Sequence, residues 1–168
     1  MMRKQEFKGK LLEVSTRRVR LPNGFLARLE IVKHAGAALI VPFISRDRLI
    51  MLRQYRPVIN LYLYELPAGT LDQGESPLAC ARREIIEETG FSAAKFSCLG
   101  EIFPVPGYST EKIVIFKAQD LRKQKVTPEQ DEVIQVKIFC RSQVQDLFKR
   151  KRIKDAKTIC ALTMAGWL

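Results

Sequence analysis

Apolar and polar positions along this chain alternate mostly with a period of two, so strands are expected to outnumber helices. Residues 8–14 and 25–33 alternate on either side of Pro22, Asn23 and Gly24, which is a hairpin signal. Ala37 to Ile44 and Leu49 to Gln54 read as two further strands around the turn-like Ser45, Arg46 and Asp47. Tyr62 to Leu66 is a short strand leading into Pro67, Ala68 and Gly69. Beyond a central helix, Lys95 to Phe103, Thr110 to Lys117 and Glu132 to Phe139 again read as strands. Helical spacing then predicts Arg141 to Lys149 and Lys154 to Leu168, the second turning Ile159, Leu162, Thr163 and Trp167 to the core. No internal repeat or low-complexity linker interrupts the series. The order predicts an α/β chain, with a mixed sheet carrying helices on its faces.

Length narrows this to one domain: 168 residues suffice to bury roughly two-thirds of the unfolded surface. Hydrophobic residues at 46% and charged ones at 28% suit a soluble globular chain. The cysteines, Cys80, Cys98, Cys140 and Cys160, are scattered without a CxxC pair, so free thiols in a reducing compartment are expected rather than a disulfide or zinc site. No run approaches the ~20 apolar residues of a membrane span. The opening MMRKQEFKGK has no apolar signal core, so the expected location is cytoplasmic, with no membrane partner.

The net charge of +11 raises a nucleic-acid surface as a possibility. Its cations are spread along the chain, however, and only Lys149 to Arg152 forms a dense run. No RNP-like aromatic pair accompanies them, which speaks against nucleic acid. A diffuse positive field also draws small polyanionic substrates. The single histidine, His34, has no ligand partners near it in sequence and is read as structural.

The chemistry concentrates between Gly69 and Phe91, GTLDQGESPLACARREIIEETGF. At roughly 100° per residue, Glu88 lies about 40° and Glu87 about 60° from Glu84, so the three project into one patch. Like charges so close raise one another's pKa unless a cation neutralises them. Hard oxygen donors with no nearby His or Cys suit Mg²⁺, or Mn²⁺ in its place, rather than zinc. Alone, such a patch would read as a solvated helix face. Ser76 can cap the helix, Pro77 fits its first turn and Gly90 can take the left-handed conformation that ends it. Leu78, Ala81, Ile85 and Ile86 lie off the acidic face and are expected in the core. Arg83 is expected to orient the carboxylates, and Glu75 to brace the loop.

Gly69, Glu75, Arg83, Glu84, Ile85, Glu87, Glu88, Gly90 and Phe91 together resemble the signature box of the Nudix hydrolases, with every defining position filled. The resemblance implies an α/β/α sandwich and a loop–helix–loop that holds divalent metal against a diphosphate. It places metal ligands at Glu84, Glu88, the Ala68 carbonyl and, directly or through water, Glu87. The flanks, from about Lys8 to Met164, are similar to the ADP-ribose pyrophosphatase branch. Arg53 to Pro57 followed by Glu65 to Gly69 resembles that branch's lead-in to the box. Pro106, 16 residues past Gly90, stands where the branch carries its distinguishing proline. Ile153 to Thr158 resembles the start of the branch's last helix.

By the same resemblance, residues 1–36 form a small β-region used in a homodimer, and residues 37–168 form the catalytic domain, with the box at 69–91. Substrate contacts are implied at Arg56, Thr70, Pro106 and Glu111. The general base comes from the acidic loop Thr127 to Glu132. There Gln130 replaces the second of four acids, leaving Glu132, slightly favoured, or Glu129. Glu88, Glu132 and Glu129 are thus the catalytic candidates. The implied reaction is Mg²⁺-dependent hydrolysis of ADP-ribose or related nucleoside diphosphate sugars to NMP and sugar phosphate. The alternatives are a broad nucleoside diphosphate sugar hydrolase acting on GDP-mannose among others, and a Nudix-fold regulator that binds without cleaving.

Overall fold

Polar strands build the first part of the chain. The computed structural model describes residues 3–9, 12–125 and 133–168. Strands β1 (Arg3–Lys8), β2 (Glu13–Arg20) and β3 (Leu26–Lys33) form an antiparallel sheet in that order. The hairpin turn falls where Pro22, Asn23 and Gly24 place it: Gly24 has φ 85° and donates its N–H to the Leu21 carbonyl at 2.9 Å. The strand expected over 8–14 is not formed. Lys8 ends β1, Glu13 opens β2, and Gly9 N–H donates to the Leu12 carbonyl between them. Its replacement, EVSTRRVR, has little apolar alternation to read. Flanking strands on both sides bury Ser15 and Thr16, and the Thr16 hydroxyl donates to Glu6 Oε1 at 3.0 Å.

The second sheet carries the site. It contains β4 (Ala37–Ser45), β5 (Arg48–Arg56), β6 (Leu61–Glu65), β7 (Ala68–Thr70), β8 (Phe91–Ile102), β9 (Ile113–Lys123) and β10 (Ile134–Cys140). Its main path runs β10-β5-β4-β9-β8, with β6 beside β5 and β7 beside β4. Only the β4–β9 ladder is parallel among the described pairs, so the sheet is mixed. β4 is buried on both faces, which explains its unbroken apolar stretch Ala37 to Phe43. Leu39, Val41 and Phe43 pack with Val144, Leu162 and Trp167 on one side, and Ala38 and Ile40 with Ala81 and Ile85 on the other. Helix α1 (Pro77–Thr89) therefore covers one face, and α2 (Arg141–Lys149) and α3 (Ala156–Met164) cover the other. The expected α/β/α sandwich is present.

The helix ends follow the sequence closely, the packing faces less so. Ser76 Oγ accepts the Ala79 N–H at 3.2 Å, and Gly90 closes α1 at φ 72° with its N–H on the Ile86 carbonyl. Leu78 is exposed, contrary to expectation, and the buried face of α1 is Cys80, Ala81, Ile85 and Thr89. α3 stops at Met164. Its buried stripe is Thr158, Ala161 and Leu162, while Thr163 turns outward and its hydroxyl donates to the Ile159 carbonyl at 2.9 Å. Trp167 still reaches the core beyond the helix end, edge-on to Phe43 with ring centroids 5.4 Å apart. The four cysteines are free thiols.

Candidate active site

Three residues of β7 set the geometry. β7 pairs antiparallel with β4, Ala68 opposite Leu39 and Gly69 opposite Ala38, and this lays the strand against α1. Two carboxylates of α1 grip it. Glu88 Oε2 accepts the Ala68 N–H at 2.8 Å. Glu84 lies on Gly69 so closely that a Cβ there would stand 1.7 Å from its Oε1 and 2.0 Å from its Cδ. The Cys80 thiol donates to the Gly69 carbonyl at 3.4 Å, and burial pushes its pKa up to about 12, so it stays a neutral packing group.

Arg83 neutralises the acidic face. Its Nη1 donates to Glu84 Oε1 at 2.6 Å and to Glu87 Oε2 at 3.0 Å. Its Nε and Nη2 hold Glu75 at 3.1 and 3.0 Å, and Nη2 also reaches the Thr70 carbonyl at 3.3 Å. These hydrogen bonds, first of all that from Arg83, hold the Glu75 carboxyl below its ordinary range, and Glu75 in turn accepts the Asp72 N–H at 3.0 Å. One guanidinium thus fastens the loop to the helix. As they stand, no three acidic, His or Cys side chains among the described residues converge closely enough to chelate a metal. The donor set nevertheless suits a hard divalent cation. It presents carboxylates on one helix face, and the space Glu84 occupies is the one a side chain at Gly69 would fill.

A cleft of about 490 Å³ opens over this face. Arg56, Ala68, Thr70, Glu84, Glu87 and Glu88 line it together. Lys123 and Gln124 line it too, and Ile134 and Val136 of β10 add apolar surface. Sequence reading did not single out these last four. They lie far from the box in sequence, where no motif signal marks them, although Lys123 pairs with Phe91 and Gln124 N–H donates to the Gly90 carbonyl at 2.8 Å.

The NUDIX domain pattern matches residues 33–162. The chain belongs to the Nudix family. It is 33% identical over 162 residues to the ADP-ribose pyrophosphatase of Bacillus subtilis (strain 168), covering 95% of this chain and 88% of that protein. It is 32% identical over 160 residues to the methanol dehydrogenase activator of Bacillus methanolicus, covering 94% and 86%. A solved structure described as an ADP compounds hydrolase superposes with a TM-score of 0.83 at 26% identity, covering 98% of this chain and 90% of that one.

Outside the Nudix box, the residues singled out from sequence are placed unequally. Pro106 and Glu111 are not on the cleft wall. Their loop is instead tied to the N-terminal sheet: Val32 N–H donates to the Tyr108 carbonyl at 2.7 Å and Thr110 N–H to the Val32 carbonyl at 3.0 Å. Glu129 and Glu132 lie outside the described residues. Arg56 does line the cleft, but it is already engaged by Glu65, 1% exposed, through Nε at 2.8 Å and Nη2 at 2.6 Å. Lys157 joins Glu65 from α3 at 2.6 Å. Sequence reading quoted Glu65 and Lys157 only as parts of longer segments.

This pairing has a pH signature. Burial by itself would raise the Glu65 pKa, but Arg56 and Lys157 outweigh it and hold the carboxyl below its ordinary 4.5. A carboxyl with a lowered folded pKa contributes stability that is fully present above the ordinary value and is lost as pH falls through the folded one. Wild type should therefore melt above Glu65→Gln at neutral pH, with the gap closing as the pH falls below the ordinary 4.5 and through the lowered folded value. Thermal melts across that range check this; a gap that widens on acidification contradicts it.

Proposed function

We propose that this Nudix chain is a hydrolase of phosphorus anhydrides that cleaves the diphosphate of ADP-ribose and related nucleoside diphosphate sugars, giving a nucleoside monophosphate and a sugar phosphate. The observation that carries this reading is the acidic face of α1 gripping β7 at the floor of a cleft that also holds Arg56 and Lys123. Glu84, Glu87, Glu88 and the Ala68 carbonyl would hold a divalent cation, Mg²⁺ or in its place Mn²⁺, whose chemistry there is to neutralise diphosphate charge and acidify the attacking water. Arg83 aims Glu84 and Glu87 by donating to both. Arg56, with Nε and Nη2 on Glu65, offers its Nη1 edge to phosphate oxygens. Ile134 and Val136 offer an apolar surface for a base or a sugar face. The proton of the attacking water is assigned to the acidic loop, at Glu132 or Glu129.

The remaining assignments complete this reading. Residues 1–36 serve as the dimerising region, where Phe7, Phe25 and Leu26 are exposed. No described helix is long and apolar enough to cross a membrane, which fits a cytoplasmic enzyme. The name of the Bacillus methanolicus relative prompts a second reading, a protein that activates a partner. The full set of box carboxylates favours cleavage, because binding alone does not need them.

A panel of nucleoside diphosphate sugars, GDP-mannose included, against NTPs and dNTPs tests the assignment. The best diphosphate sugar should exceed every NTP and dNTP at least ~10-fold in kcat/KM, a gap of about 1.4 kcal/mol in transition-state binding. Faster hydrolysis of GTP or 8-oxo-dGTP by metal-replete protein would sink it.

A further inference from the structure

Arg56 lines the cleft with Arg83 and Lys123, yet the structure spends two of its donors on a residue outside it. Glu65 closes a fork on the Arg56 Nε and Nη2, which fixes the plane of the guanidinium as well as its position. The Nη1 edge has no hydrogen-bond partner among the described residues, and Arg56 lies on the wall it shares with Glu84, Glu87 and Glu88. Glu65 is itself held. Lys157 donates to its Oε2 at 2.6 Å and to Asp155 Oδ1 at 2.8 Å, and Asp155, the N-cap of α3, accepts the Thr158 N–H at 2.9 Å. One residue along, Leu66 N–H donates to the buried Thr158 hydroxyl at 2.9 Å. β6 and α3 are thus stapled at adjacent positions, directly behind Arg56.

Burying a carboxylate with two cations is an expensive way to gain stability, and apolar packing commonly does as well. Such a network makes sense where orientation matters. Arg56 also feels the charges of Glu88 and Asp155. Without Glu65, the guanidinium would be drawn toward the acidic face of α1 and would neutralise a group needed there. We propose that Glu65, backed by Lys157, is a positioning residue that holds the Arg56 guanidinium away from Glu88 and leaves its Nη1 edge for the anionic oxygens of the substrate. This rests on the reading of the cleft as a nucleoside diphosphate sugar site.

Steady-state kinetics with ADP-ribose on wild type, Arg56→Ala, Glu65→Gln, Lys157→Met and the Arg56→Ala/Glu65→Gln double variant test it. Glu65→Gln should raise KM at least ~10-fold and lower kcat by ~3- to 10-fold, because the freed guanidinium both loses its substrate contact and screens Glu88. Lys157→Met should move KM the same way by ~3-fold. The double variant should be no worse than Arg56→Ala, since both changes remove one contact. An unchanged KM in folded Glu65→Gln, or full additivity in the double variant, overturns the clamp. Should Glu65→Gln fail to fold, Lys157→Met decides: a raised KM supports the clamp and an unchanged one overturns it. Absence of turnover by wild type on any nucleoside diphosphate sugar overturns the functional reading itself. That result is distinct from normal wild-type turnover with Glu65→Gln unchanged, where the clamp alone falls.

Discussion

Glu88→Gln should lower kcat at least ~10²-fold, the scale of losing an electrostatic catalytic group, while leaving the protein folded. The structure separates the two effects. Among the described residues, Glu88 Oε2 accepts the Ala68 N–H at 2.8 Å. A glutamine carbonyl oxygen can accept the same hydrogen bond, so the grip of α1 on β7 survives. What disappears is the negative charge, together with the ability to ligate a divalent cation strongly. Melting temperature should therefore change little while turnover collapses. A folded Glu88→Gln that keeps near-full turnover shows that the metal assignment is wrong.

Gly69→Ala is the second large effect, and its cause is steric. Gly69 has no left-handed backbone requirement, so alanine is tolerated there conformationally. The added Cβ, however, would stand 1.7 Å from Glu84 Oε1 and 2.6 Å from Oε2, inside any contact two atoms can make. The carboxylate must swing away, and doing so breaks its 2.6 Å contact with Arg83. Displacing a reacting group by about an ångström can cost ~10²-fold, so kcat should fall ~10- to 10²-fold. The loss should come without the backbone strain that a substitution at Gly90, with φ 72°, would add. Parallel kcat and melting measurements on Gly69→Ala and Gly90→Ala check the contrast. Wild-type kcat in Gly69→Ala would mean that Glu84 is not a ligand.

Some of this site was legible from the chain because it is local. Glu84, Glu87 and Glu88 share a face through helical periodicity alone, and Ser76, Pro77 and Gly90 mark the helix ends by their own backbone preferences. Arg83 is a neighbour of its partners in sequence, so its orienting role followed from spacing and is matched by its contacts with Glu75, Glu84 and Glu87. β4 was evident because a strand buried on both faces is apolar throughout.

Other features depend on partners far away in the chain, and no local pattern encodes them. β2 was missed because its burial comes from β1 and β3 on either side, and its own residues are mostly polar. Periodicity places Leu78 and Thr163 inward, yet both are exposed, because the buried stripes of α1 and α3 fall on other residues. The loop of Pro106 and Glu111 docks on β3 through backbone hydrogen bonds that most side chains would permit, so this docking could not be read from sequence. The Glu65–Lys157 contact joins residues 92 apart, which only the packing of α3 against β6 brings together. Local periodicity and capping determined the acidic helix and its chemistry. Long-range strand pairing and helix packing decided which residues face that chemistry across the cleft, because those contacts arise only once the chain closes on itself.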